Sequence, residues 1–185
     1  MKDELAACGF AVMDGEAVPE IAGRWGNPQA IVSRERDDSW SLSGTYGLEA
    51  FPWHTDGAIS SRPPRWIVLR ALSIPQTTHT ELLDPDPSLL AGLRRTVLRA
   101  VDSTGRARHL PAAVPEEGRW RVRWDPRVCA PQIGLSLDEV DARAPTAIIE
   151  WREGRVVVLD NARLLHRRPA VLAGRVLERT YVWSE

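Results

Sequence analysis

The sequence is poor in several features, and each shortage excludes a class of protein. It has two cysteines, Cys8 and Cys129, so we expect neither a disulfide scaffold nor a cysteine-rich metal site. No apolar run is long enough to span a bilayer and no signal peptide opens the chain, so a cytoplasmic protein without a membrane partner is predicted. Glycine-rich phosphate loops and internal repeats are also missing.

The chain also lacks an excess of charge of either sign. It has 24 basic and 25 acidic residues, with a formal net charge of −1, so we expect no nucleic-acid partner. Nearly all of the basic residues are arginine, with Lys2 as the exception. A hydrophobic content of 43% and a length of 185 residues are typical of a globular protein, and we predict one domain over residues 1–185.

A His-x-Asp pair, His54 and Asp56, is the first candidate site. Residues two apart on an extended chain point to the same face, so the imidazole and the carboxylate can reach one ion together. Far downstream, His166 follows the β-like run 155–159. Two imidazoles and one carboxylate form the facial triad of non-haem Fe(II) oxygenases. The pair alone also fits an ordinary surface turn, because residues 55–57 are turn-tolerant.

A second pattern lies near the end of the chain, where Arg175 and Arg179 are four residues apart on a predicted strand. They therefore share one face of that strand, together with Leu177 and Tyr181. If this face is the interior of a barrel, two buried guanidinium groups need anions. A bound dicarboxylate would supply those anions.

These segments resemble the taurine dioxygenase / clavaminate synthase-like family of Fe(II)- and 2-oxoglutarate-dependent oxygenases. The resemblance runs from the first third of the chain to its end and is weak between about residues 85 and 150. The motifs that carry it are His54-Thr-Asp56, Thr80 within Thr77-Thr-His-Thr80, Asp160-Asn-Ala-Arg-Leu-Leu-His166 and Arg175-Val-Leu-Glu-Arg179.

The resemblance implies a mainly β fold with flanking helices, a double-stranded β-helix (a jelly roll, cupin-like). It also implies Fe(II) and 2-oxoglutarate as cofactors and O2 as a reactant. The implied iron ligands are His54, Asp56 and His166. Thr80 and Arg175 would bind the far carboxylate of 2-oxoglutarate, and Arg179 its near carboxylate or a substrate anion. The two arginines could exchange these roles.

The implied activity is oxidation of an unactivated C–H bond in a small, amino-acid-like or carboxylate-bearing metabolite, free or carrier-tethered, and the resemblance suggests a role in secondary metabolism. Halogenases of the family carry Ala or Gly in place of the carboxylate ligand, so Asp56 favours hydroxylation or desaturation. The chain is short for the family, and we expect a reduced active-site cover after Asp84. Candidate substrate contacts, unless these residues are simply solvated, are Arg34, Arg36, Ser41 and Ser43.

Two departures from the family and two rival functions stay open. The family's glycines before Thr80 are replaced by Thr77-Thr-His79, and Arg167 replaces a small residue after His166. One rival is an Fe(II) enzyme that does not use 2-oxoglutarate, and the other is a non-catalytic jelly-roll binding or scaffold protein with a remnant site. The sequence also leaves open whether the chain forms a homo-oligomer.

Outside these motifs, the strongest helix pattern lies at Pro87–Ala100. Asp86 or Ser88 can cap it, and it has an apolar face. Residues 102–118 are rich in Pro, Gly and charge and are predicted to form a loop. A short helix is predicted over Leu137–Arg143, with a capping box at its start.

Overall fold

The main regular structure of the chain is β-strand, as the family resemblance implied. The computed structural model describes residues 1–15, 19–116 and 118–184. The strands within these ranges, in chain order, are β1 (Phe10–Asp14), β2 (Arg24–Trp25), β3 (Gln29–Val32), β4 (Phe51–His54), β5 (Trp66–Ser73), β6 (His79–Leu83), β7 (Val97–Val101), β8 (Ala107–Pro111), β9 (Ala113–Glu116), β10 (Arg119–Val122), β11 (Cys129–Ile133), β12 (Ala147–Glu150), β13 (Arg155–Asp160), β14 (Leu165–Arg168) and β15 (Val176–Trp183). The helices are α1 (Lys2–Cys8), α2 (Leu42–Tyr46), α3 (Pro87–Arg95) and α4 (Leu137–Asp141).

Two antiparallel sheets build the body of the protein. The major sheet has the strand order β1-β13-β5-β15-β2, and β3 also pairs with β15. The minor sheet has the order β12-β6-β14-β4. Apolar side chains from both sheets pack between them, among them Leu69, Leu82, Trp151 and Leu177. Two sheets of this kind around one core form the predicted jelly roll, so the fold prediction is confirmed.

The outer faces of both sheets are covered. Leu5 of α1 packs with Val68, Val158 and Val182 on the outside of the major sheet. On the minor sheet, α3 and the smaller sheets β11-β7-β8 and β10-β9 build a second core. None of the helices in the described ranges has the length and apolar character that a bilayer-spanning helix needs.

The segment after Asp84 differs from the sequence prediction in two places. The helix predicted to end at Ala100 stops at Arg95, and residues 97–101 form β7 instead. The β-branched pair Thr96-Val97 disfavours helix, and β7 gains partners on both edges from β8 and β11. The loop predicted at 102–118 is also wrong, because much of it forms β8 and β9. The short helix predicted from Leu137 is confirmed with its capping box, and ends at Asp141.

Candidate metal centre and its cavity

Two histidines face each other across a pair of strands in the minor sheet. His54 ends β4, His166 lies near the start of β14, and the antiparallel register places them directly opposite one another. Their ring centroids are 4.2 Å apart. The Nδ1 of His54 lies 2.9 Å from the carbonyl oxygen of Pro52, which can only accept. In the neutral ring the proton therefore lies on Nδ1, and Nε2 is the nitrogen that can bind a metal ion.

Asp56 follows β4 in a tight turn. Gly57 comes next with φ 71°, a left-handed conformation that a side chain would strain. Thr55 points away from the histidines and ties the turn to Trp124. Its backbone N–H donates to the Trp124 carbonyl at 2.7 Å, and its Oγ1 accepts from the Trp124 N–H at 3.1 Å. His54, Thr55 and Asp56 are all buried, so the surface-turn alternative for this pair is wrong.

The three predicted ligands come together at one point. His54, Asp56 and His166 each offer one ligand atom, and these atoms all lie within 4.8 Å of one another. The Oδ1 of Asp56 is 3.7 Å from His54 Nε2 and 3.9 Å from His166 Nε2. Burial, and then the neighbouring His54, lower the pKa of His166 to about 3. A neutral imidazole is the form that binds a metal, so the donor set fits a divalent ion.

The other carboxylate oxygen of Asp56 is held by the major sheet. Oδ2 accepts a hydrogen bond from the Tyr181 hydroxyl at 2.8 Å and another from Arg179 NH1 at 3.1 Å. Burial alone would raise the pKa of Asp56, but the charge of Arg179, the two imidazoles and the Tyr181 hydroxyl lower it to about 2. Asp56 is therefore a carboxylate at any ordinary pH.

Asn161 fixes the backbone of Asp56 from the turn between β13 and β14. Its Oδ1 accepts from the Asp56 N–H at 2.8 Å, and its Nδ2 donates to the Asp56 carbonyl at 2.9 Å. The preceding Asp160 forms a buried ion pair with Arg65. Asn161 thus joins the segment that carries His166 to the segment that carries His54 and Asp56.

A cavity of about 460 Å³ extends from the three ligands into the space between the sheets. Four residues of β15 and the segment before it line this cavity, as the alternation predicted: Arg175, Leu177, Arg179 and Tyr181. Arg175 is 5% exposed, and its Nε has no hydrogen-bond partner among the described residues. Burial, and then the nearby charge of Arg168, lower the pKa of Arg175 to about 10. This end of the cavity therefore carries a buried cation without a carboxylate beside it in the described chain.

Thr80 lines the same cavity and is also buried. Its Oγ1 accepts a hydrogen bond from Trp151 Nε1 at 2.9 Å. Arg175 lies over the ring of Trp151, with its Cζ 5.8 Å from the ring centroid. Because the Trp151 bond occupies an acceptor site of the hydroxyl, the Thr80 proton stays available for an acceptor in the cavity.

The two arginines after His166 have structural partners. Arg167 forms an ion pair with Glu81 at 2.6 Å and stacks over Trp53. Arg168 is buried and donates to the backbone carbonyls of residues 47–49 and of Pro169. Glu81 thus balances the charge of Arg167 at the cavity wall, whereas Arg168 fixes the backbone that follows α2.

Three of the four candidate substrate contacts line the cavity, namely Arg34, Ser41 and Ser43, whereas Arg36 is exposed and is not among its lining residues. Asp125 and Arg127 line it too, although the sequence interpretation missed them. They form an ion pair at 3.1 Å. Both come from the region after Asp84, where a reduced cover was expected, so this region contributes to the cavity wall.

The sequence interpretation also missed the Asn161 clamp and the Tyr181 hydroxyl. In the sequence Asn161 is noted only as part of the motif before His166, and Tyr181 only as sharing a face with the two arginines. The alternation along β15 could have pointed to Tyr181. No local signal identifies its partner, which lies 125 residues away in sequence.

Three of the solved structures that share this fold are oxygenases. An asparagine oxygenase in complex with Fe(II), 3-hydroxyasparagine and succinate aligns over 85% of this chain with a TM-score of 0.65 and 16% identity. PvcB from Pseudomonas aeruginosa, an Fe, α-ketoglutarate dependent oxygenase from an isonitrile synthetic pathway, aligns over 98% with a TM-score of 0.65 and 20% identity. A taurine dioxygenase from Burkholderia xenovorans aligns over 85% with a TM-score of 0.59 and 19% identity.

These alignments confirm, at the level of the fold, the resemblance found in the motifs. The chain spans 56% of the asparagine oxygenase, 78% of PvcB and 64% of the taurine dioxygenase. No family model matches the chain, and no curated protein matches its sequence.

Proposed function

We propose that this protein is an Fe(II)- and 2-oxoglutarate-dependent dioxygenase that oxidises a C–H bond of a small amino-acid-like or carboxylate-bearing molecule. One observation carries the proposal: three side chains that could bind a metal, and a buried arginine without a carboxylate partner among the described residues, line the same cavity. The fold shared with a structure that contains Fe(II), a hydroxylated amino acid and succinate supports it.

The residues present fit the iron. His54, Asp56 and His166 would hold it through two imidazole nitrogens and one carboxylate oxygen. An Fe(II) ion held by these three side chains would supply the redox chemistry between a 2-oxo acid and O2. The protein contributes a neutral His166 imidazole, an ionised Asp56 and a buried setting that limits the access of water.

The far end of the cavity fits the second carboxylate of 2-oxoglutarate. Arg175 would bind this carboxylate through paired N–H groups, and the charge of the ligand would satisfy a guanidinium that is otherwise buried without an anion. The Thr80 hydroxyl, oriented by Trp151, would donate a further hydrogen bond. Arg179 lies beside Asp56. Its NH2 makes a long bond to Gln29 at 3.4 Å, so it can still accommodate the near carboxylate or a substrate anion.

The proposed reaction converts 2-oxoglutarate, O2 and R–H into succinate, CO2 and R–OH. One oxygen atom enters succinate and the other enters the alcohol, so atoms and electrons balance without another reductant. The substrate would lie on the side of the cavity lined by Arg34, Ser41 and Ser43. An amino-acid-like or carboxylate-bearing substrate fits these polar side chains.

The test is succinate formation from 2-oxoglutarate with Fe(II) and O2, assayed with a panel of amino acids and small carboxylic acids. We expect the wild-type protein to form succinate and Asp56→Ala to form none, because a metal ligand is lost. Asp38→Ala, at an exposed position, is the control and should behave as wild type. Equal succinate from the Asp56→Ala variant, or none from wild type with any compound, would contradict the proposal.

A further inference from the structure

Asp56 uses nearly all of its hydrogen-bonding groups within the protein. Its backbone N–H and C=O both bond to the side chain of Asn161. Its Oδ2 accepts two bonds, from Tyr181 and Arg179. Oδ1 has no such partner among the described residues, and its nearest neighbours are the two imidazole nitrogens, 3.7 and 3.9 Å away. One oxygen of this carboxylate is therefore held and the other is presented to the histidines.

The donors on Oδ2 come from a different sheet than the histidines. Arg179 and Tyr181 are two residues apart on β15 of the major sheet, so their side chains leave the same face. The Tyr181 ring packs beside the guanidinium, with the Arg179 Cζ 4.5 Å from the ring centroid. The two side chains thus pack against each other, and both donate to Asp56 across the space between the sheets.

From this geometry we infer that Tyr181 and Arg179 are positioning residues that restrict Asp56 to one-oxygen coordination of the metal. A carboxylate can bind a metal ion through one oxygen or through both. Two donors fixed on Oδ2 oppose its rotation toward the ion, so a coordination position that two-oxygen binding would fill stays open. The inference rests on the proposed metal centre, and it assigns to this pair a role separate from binding 2-oxoglutarate.

The test is metal binding without 2-oxoglutarate or O2. Co(II) is the probe, because its visible absorption reports both affinity and coordination number. We expect Tyr181→Phe to weaken Co(II) binding about 10-fold and to change the absorption spectrum, since partners of metal ligands typically contribute 10- to 100-fold. Tyr46→Phe is the matched control, because it removes the hydroxyl of the chain's other tyrosine, whose ring packs against Phe51.

A second pair of variants keeps the inference testable if Tyr181→Phe folds poorly. Arg179→Met should also weaken Co(II) binding about 10-fold, whereas Arg179→Lys, which retains a charged donor, should stay within about 3-fold of wild type. A Tyr181→Phe protein with wild-type affinity and an unchanged spectrum would overturn the inference alone. A wild-type protein that binds no Co(II) would overturn the proposed metal centre and this inference together. A separate titration of the Co(II)-loaded protein with 2-oxoglutarate tests the proposed function: no affinity there, together with weaker Co(II) binding in the variants, would overturn the proposed function and support the inference.

Discussion

The two ends of the cavity differ in how completely the protein satisfies their polar groups. At the Asp56 end, the backbone and one carboxylate oxygen are bonded to Asn161, Tyr181 and Arg179, and a single oxygen is left over. At the Arg175 end, a buried guanidinium has no carboxylate beside it in the described chain, and its Nε makes no hydrogen bond there.

This contrast shows two ways of preparing a binding site. The metal end is organised in advance, so a metal ion would meet side chains that are already oriented. The Arg175 end holds an uncompensated charge, which destabilises the empty protein and which an anionic ligand would neutralise. A buried charge without a partner is expected where a protein binds a ligand of opposite charge.

Removing the charge of Arg175 should have the largest effect on ligand binding. Arg175→Met should weaken 2-oxoglutarate binding about 30-fold or more, because losing one partner of a buried charge pair costs roughly 2–5 kcal/mol. Isothermal titration of the metal-loaded protein under anaerobic conditions measures this. Arg70→Met is the control, since Arg70 follows the cavity-lining Leu69 on β5 and points to the opposite face. An unchanged affinity in Arg175→Met would move the carboxylate site elsewhere.

Arg168 and Arg175 should differ in how much each stabilises the ligand-free protein. Both guanidinium groups are buried, and burial lowers the pKa of each to about 10. Arg168 donates to several backbone carbonyls, so Arg168→Met should lower the free energy of unfolding by about 2–3 kcal/mol. Arg175→Met should leave the ligand-free protein as stable as wild type or more stable. Urea denaturation of both variants checks this, and the reverse order would refute the contrast.

The neutral state of His166 predicts how the metal-free protein responds to pH. Its folded pKa of about 3 is below its ordinary value of 6.5, so between these pH values the unfolded chain binds a proton that the folded chain does not. Stability is therefore retained above pH 6.5 and lost as the pH falls toward 3, by about 1.4 kcal/mol per unit from this group.

Denaturation of the metal-free protein at pH 7, 6 and 5 measures this slope. His166→Asn should reduce it, and His109→Asn, at an exposed histidine of β8, should not. The same slope in the His166→Asn variant would show that His166 is not the group that resists protonation.

The smallest effect should come from the Thr80 hydroxyl. Thr80→Val keeps the shape of the side chain and removes one neutral hydrogen bond, which contributes about 1 kcal/mol. We expect 2-oxoglutarate to bind about 5-fold more weakly, with Thr77→Val at an exposed position as the control. A loss as large as that of Arg175→Met would indicate that Thr80 shapes the loop and does more than donate one bond.

The parts of the fold and site that follow from short-range patterns could be predicted from the sequence. The β-like run 155–159, the face shared by Arg175 and Arg179, and the capping box before α4 depend on residues a few positions apart. The three metal-ligand candidates were also identified, because the spacing of His54 and Asp56 and the motif before His166 are local signals.

The features of the fold and site that the sequence did not predict depend on contacts between distant segments. The helix predicted to reach Ala100 ends early because β7 pairs with β8 and β11, which come later in the chain. The helical pattern of residues 87–100 gives no sign of these partners. The bonds from Asn161 and Tyr181 to Asp56 join residues 105 and 125 positions apart. Periodicity shows which way such side chains point, but it does not show what they meet.

The central claim is that one cavity binds both Fe(II) and 2-oxoglutarate. Its most direct test is an anaerobic titration of the metal-free protein with the two compounds, monitored for the weak visible charge-transfer band of the chelate. We predict a band that requires both components and that is lost in His54→Ala. Iron binding without the band, and without measurable affinity for 2-oxoglutarate, would contradict the claim.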